Sequence, residues 1–134
     1  MANEIIKKYF DAWHQHDSDT ILTTYAEGGS YSDPATGGKL TGAAIAEYAD
    51  ALFTAFPDMS VELISSAEAS NGMIAAPWII LGTHNGPLMD KPATGKKIVL
   101  LGCDFMKVEG SLLALVEGVW DINGLYAQLG WSDT

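Results

Sequence analysis

The chain predicts an α+β domain, and three observations carry that prediction. Apolar residues recur at helical spacing as far as Phe56, and beyond Pro57 the period changes to extended alternation. Turn signals then cut the extended half into long neighbouring strands. Helices first and antiparallel strands after place the helices on one face of a curved sheet. Such a sheet closed by helices makes a cone, and its open mouth is the expected pocket.

Ile5, Ile6, Tyr9, Phe10 and Trp13 lie on one stripe and predict an amphipathic helix over residues 3–15, with Asn3 able to cap it. Asp17 and Ser18 can cap a second, shorter helix carrying Ile21, Leu22 and Tyr25. Glu27-Gly28-Gly29 reads as a turn into a short strand, Ser30–Asp33, which Pro34 stops. After a glycine-rich loop, Thr41 is placed to cap a third helix with Ile45, Tyr48, Leu52, Phe53 and Phe56 on one side, ended by Pro57. Met59–Ala67 reads as a strand and Asn71-Gly72 as a tight hairpin signal, followed by strands over 73–84, 98–108 and 111–121. Glu109-Gly110 makes the last turn, and a helical segment, Ile122–Leu129, closes the domain. No internal repeat or linker interrupts residues 1–134, so one domain is expected, large enough for a continuous core.

Seven lysines, no arginine and seventeen acids give a net charge of −10. That balance repels a phosphate backbone and lacks the guanidinium fork that reads it, so nucleic acid is excluded as a partner. Cys103 is the lone cysteine, which fits a reducing cytoplasm. No apolar run approaches the ~20 residues that span a bilayer, and the first residues lack a basic-then-apolar leader pattern. The expectation is a cytoplasmic protein without a membrane partner. No His/Cys cluster has metal spacing, and no phosphate loop, dinucleotide fingerprint or nucleophile elbow occurs, so no metal or cofactor is expected.

The segment from Gly82 to Lys97, Gly-Thr-His-Asn-Gly-Pro-Leu-Met-Asp-Lys-Pro-Ala-Thr-Gly-Lys-Lys, stands between two long apolar runs as a decorated hairpin. It resembles the hairpin of SnoaL-like polyketide cyclases, in the nuclear transport factor two-like superfamily. The resemblance extends through Phe56-Pro57-Asp58 upstream and Asp121 with Gln128-Leu129-Gly130 downstream. It implies a cone-shaped fold of three N-terminal helices on a curved, mostly antiparallel sheet, and a homodimer paired through that sheet. It also implies acid/base chemistry on a hydrophobic, carbonyl-containing small molecule.

Two polar constellations could carry such chemistry. Asp121 matches the acid/base aspartate that aldol-cyclising relatives carry at the end of the last strand. Alternation places Leu113, Leu115, Glu117, Val119 and Asp121 on one face, and Trp78, Ile80 and His84 on another wall. Asp121 equally suits an N-cap for the closing helix. His84 either orients a carbonyl oxygen or is a rim histidine. Where many relatives carry histidine and tryptophan, this chain has Val116 and Glu117; Glu117 either shares a proton with Asp121 or faces water.

In the second constellation, Asp104 interrupts an apolar strand, where a lone carboxylate is costly to bury. Tyr9, Asp33 and Asp104 resemble the three polar positions of ketosteroid isomerases, through Lys8-Tyr9, Asp33-Pro34 and Asp104-Phe105. That resemblance implies Asp33 as base and Tyr9 with Asp104 as the oxyanion site. Trp13, Tyr31, Phe53, Phe56 and Trp78, with Glu117, are the expected ligand-contacting residues around a flat oxygenated ligand. The alternative is a binding or association domain without catalysis. His14 and His16 point to different sides of a helix end and read as cations favourable there.

Overall fold

The computed structural model describes residues 2–131, beginning with α1 (Ala2–His14), whose stripe of Ile6, Tyr9 and Trp13 is buried. Asn3 therefore lies inside the first turn and not ahead of it. α2 (Ser18–Thr23) starts where expected, because Asp17 accepts from the Thr20 N–H and hydroxyl. His14 and His16 act as tethers to the segment after the third helix. His14 Nδ1 accepts the Val61 N–H, and His16 Nε2 lies 2.8 Å from Met59 O with its ring stacked on Phe53.

The first strand, β1 (Tyr25–Ser32), begins earlier than the glycines suggested. Gly28 and Gly29 form a bulge within it, where the pairing jumps from Tyr25 opposite Leu113 to Ser30 opposite Leu115. β2 (Leu40–Thr41) pairs with β1, so Thr41 belongs to a strand. The third helix, α3 (Ala43–Ala55), starts from Gly42 with no side-chain cap. The strand expected over 59–67 is split into β3 (Ser60–Leu63) and β4 (Ala67–Glu68), both paired with β5 (Ile74–Thr83). The break faces Pro77, which accepts from the Ile64 N–H but has no N–H to return.

β6 (Lys97–Glu109) and β7 (Leu112–Trp120) complete a seven-stranded sheet ordered β2-β1-β7-β6-β5-β3, with β4 also on β5, antiparallel except where β1 runs parallel to β7. α4 (Ile122–Leu129) closes the domain. Its Gln128 carboxamide both accepts from Val99 N–H and donates to Val99 O, standing in for a neighbouring strand beyond the end of β7. No helix among the described residues is long and apolar enough to cross a membrane.

One irregularity decides which side chains reach the interior. Lys107 pairs with Leu115 but Val108 pairs with Leu113, so Ala114 is an extra residue in β7. A bulge of one residue reverses every side chain beyond it. Leu113 is buried before the bulge; after it Val116 and Gly118 are buried while Val119 is exposed. The single face expected for Leu113 through Asp121 does not exist.

Candidate functional site

The sheet and helices enclose a cavity of about 260 Å³. α1 contributes Tyr9, Phe10 and Trp13, and β1 contributes Tyr31 with Asp33 just beyond its end. α3 adds Tyr48 and Leu52, followed by Phe56. The sheet adds Trp78, Ile80, Leu100, Asp104 and Trp120, and the hairpin adds Leu88 and Met89. No lysine, arginine or histidine lines it among the described residues. An anionic ligand group would meet two aspartates and no compensating cation.

The two aspartates meet at Gly118. A Cβ built there would lie 3.0 Å from Asp104 Oδ1, and 3.4 Å from both Asp33 Cβ and the Tyr31 hydroxyl. A side chain at this position would press on the Asp104 carboxyl, so glycine leaves that carboxyl room beside Asp33. Their surroundings differ sharply. Asp33 Oδ2 accepts from the hydroxyls of Tyr31 and Tyr48, each at 2.6 Å, and Oδ1 accepts from Ala35 N–H at 2.7 Å. Three donors hold this carboxylate as an acceptor in a fixed orientation.

Asp104 is 5% exposed and accepts from Trp78 Nε1 at 3.0 Å. The indole reaches it because its ring lies against Gly102, where a Cβ would collide with it. Burial pushes the Asp104 carboxyl up to about 7, and the nearby charge of Asp33 adds to the effect against the opposing Trp78 bond. A carboxyl with such a pKa is divided between acid and base near neutral pH. Tyr9 donates to or accepts from Tyr25 across 3.0 Å. Burial raises the phenols of Tyr9, Tyr25, Tyr31 and Tyr48, with Asp104 second for Tyr9 and Asp33 second for Tyr48, so all four remain hydroxyls.

Of the residues expected at the site, Tyr9, Asp33, Asp104, Trp13, Tyr31, Phe56 and Trp78 line the cavity. Four do not. Asp121 is exposed and N-caps α4, accepting from Gly124 N–H at 2.8 Å, so its interior placement is corrected to a cap. Glu117 lies beyond the Ala114 bulge opposite Phe105, on the outer sheet face. Phe53 is turned toward His16 and Trp13.

His84 is wholly buried beneath the hairpin. Its Nδ1 accepts from Thr94 N–H at 3.1 Å, and its ring lies between Phe56 and Trp131. Burial lowers its pKa. Its Nε2 has no partner among the described residues, while its Nδ1 ties the two arms of the hairpin together through Thr94. Tyr48 and Gly118 are the site residues that sequence reasoning missed. Tyr48 reads as ordinary helix core, and a lone strand glycine carries no signal about what crosses it.

The sequence pattern of the SnoaL-like polyketide cyclases matches residues 3–129. This chain belongs to that family. Solved structures agree in fold. A candidate SnoaL-like polyketide cyclase from Jannaschia sp. CCS1 superposes with a TM-score of 0.83 at 14% identity, over 99% of this chain and 92% of that one. IdmH, a candidate polyketide cyclase from Streptomyces antibioticus, gives 0.76 at 19% identity over 97% and 99%. A protein with a ketosteroid-isomerase-like fold from Catenulispora acidiphila, solved with trimethylamine, gives 0.81 at 17% over 97% and 95%. None of the curated proteins matches the sequence. This member carries its buried acid on β6, while Asp121, just after β7, caps α4.

Proposed function

We propose that this chain catalyses proton transfer at a carbon next to a carbonyl in a hydrophobic, uncharged small molecule, with Asp104 as the acid/base. The observation that carries the reading is one desolvated carboxyl beside one firmly held carboxylate, both opening into an aromatic cavity. In its ionised fraction Asp104 takes the α-proton: the C–H bond breaks, the carboxyl O–H forms, and the electron pair becomes an enolate. In an aldol cyclisation that pair attacks a second carbonyl carbon of the same molecule, and Asp104 returns the proton to the resulting alkoxide. Product and substrate are isomers, so no further reactant is consumed. The apolar walls exclude water that would otherwise quench the enolate.

A second reading is the isomerase-type shuttle, with Asp33 as base and Tyr9 plus Asp104 facing the enolate oxygen. The presence of all three residues in one cavity favours it. Proton exchange on α-tetralone in D₂O, followed by NMR, separates the two. Asp104→Asn should lower exchange by roughly 10²–10⁴ and Asp33→Asn by less, if Asp104 is the acid/base. The opposite order supports the isomerase assignment, and small equal effects refute both. Asp121→Asn should leave exchange unchanged.

We further propose a homodimer through the outer sheet face, where Val99, Leu101, Phe105 and Val119 are exposed side by side. Leu101→Lys should convert it to monomer in sedimentation equilibrium; a wild type that is already monomeric removes the idea.

A further inference from the structure

The hairpin between β5 and β6 bends back over the cavity, and its base and tip are built differently. At the base, Asn85 and Gly86 N–H groups both donate to Ala55 O, His84 N–H donates to Lys96 O, and Gly95 N–H donates to His84 O. A Cβ on Gly86 would collide with the Thr54 carbonyl, so the chain is pressed against the end of α3 there. The tip, between Pro87 and Pro92, is a tight turn closed by Leu88 N–H to Lys91 O at 3.0 Å and Lys91 N–H to Leu88 O at 2.9 Å. It reaches the C-terminal region through the Tyr126 hydroxyl, 3.7 Å from Met89 Sδ, and the Lys91 ammonium, 5.2 Å above the Trp131 ring. Both are soft contacts on the exposed side.

Both central residues of that turn are left-handed, Met89 at φ 52° and Asp90 at φ 63°. Turns of this kind favour Asn or Asp followed by Gly. Aspartate tolerates the conformation, whereas a methionine in it is uncommon. Yet Met89 lines the cavity while remaining 45% exposed, so it spans from solvent to the mouth. A strained residue whose side chain reaches a binding cavity points to a function for that side chain.

We propose that Met89 is the specificity-determining residue at the cavity mouth, a thioether gate that sorts uncharged carbonyl ligands by width. This rests on the cavity being the ligand site. An unbranched, flexible side chain can repack around ligands of different outline, and this one is carried at the tip of a hairpin whose base is fixed. No cation lines the cavity among the described residues, which restricts the sorted class to molecules without an anionic group.

The test uses Prodan, a neutral naphthyl ketone whose emission reports apolar surroundings, with stopped-flow fluorescence on the full chain. Three variants are compared: Met89→Ala, Met89→Leu, and the double change Met89→Asn with Asp90→Gly. The alanine and double variants should raise Prodan association and dissociation rate constants about tenfold each. They should also improve competition by the larger ketone androst-4-ene-3,17-dione relative to Prodan. Met89→Leu should stay near wild type. The double variant removes the turn strain and should melt higher, so faster exchange in it cannot be assigned to misfolding. Unchanged rate constants and size preference in the double variant overturn the gate, as does a wild type that binds no Prodan. Altered Prodan rates together with α-tetralone exchange insensitive to Asp104→Asn would support the gate while refuting the proton-transfer reading.

Discussion

Replacing Asp104 by asparagine should make the protein's stability less dependent on pH, by an amount that follows from the burial of this carboxyl. The native carboxyl sits at about 7 against an ordinary 3.8, with desolvation the largest cause. The native state therefore holds this proton more tightly than the unfolded chain does. The resulting stabilisation is fully present below pH ~4 and is lost as pH rises through about 7. Each unit corresponds to about 1.4 kcal/mol, so the loss between pH 4 and pH 9 is about 4 kcal/mol. The asparagine carboxamide oxygen can still accept from Trp78 Nε1, so the difference between the two proteins isolates the ionisation. Urea unfolding followed by far-UV circular dichroism at pH 4, 5.5, 7 and 9 measures it. Wild type should lose about 4 kcal/mol relative to Asp104→Asn across that range, most of it above pH 5. A difference that stays flat would mean that Asp104 ionises as it does in water. The desolvated acid would then be gone, and with it the basis of the proposed chemistry.

Gly118→Ala inserts a methyl group 3.0 Å from Asp104 Oδ1 and should cost about 1–3 kcal/mol while lowering α-tetralone exchange; unchanged values in both assays would show that the carboxyls do not converge there. Asp121→Ala removes the α4 cap and should cost about 1 kcal/mol in urea unfolding with no effect on exchange, and a large loss of exchange would return Asp121 to the chemistry. Burial lowers the His84 pKa, so its stabilising contribution is present above pH ~6.5 and lost as pH falls through the lower native value, when the protonated Nδ1 can no longer accept from Thr94. His84→Asn should reduce the loss of stability on acidification from pH 6.5, measured against wild type by urea unfolding; an identical acid slope would place the histidine outside this linkage.

Local pattern was enough for much of this protein. The stripe of Ile6, Tyr9 and Trp13, the Asp17 cap and the boundaries of α4 follow from spacing and capping chemistry, which act within a few residues. Asp104 was legible for a related reason, since an acid between Cys103 and Phe105 in an apolar strand has to be accommodated somewhere, and the resemblance to ketosteroid isomerases grouped Tyr9 and Asp33 with it. Faces were legible only until an irregularity intervened. Alternation is a count from a starting residue, and Ala114 adds one to the count, which sends Glu117 outward and takes Asp121 away from the cavity.

Tertiary structure alone decided which carboxyl is desolvated. Asp104 owes its environment to Trp78, 26 residues away, and to two glycines, Gly102 making room for the indole and Gly118 for the carboxyl itself. Asp33 owes its fixed orientation to Tyr31 on a strand and Tyr48 on a helix. Burial and hydrogen-bond partners are properties of the space between elements, and no window along the chain contains both sides of that space.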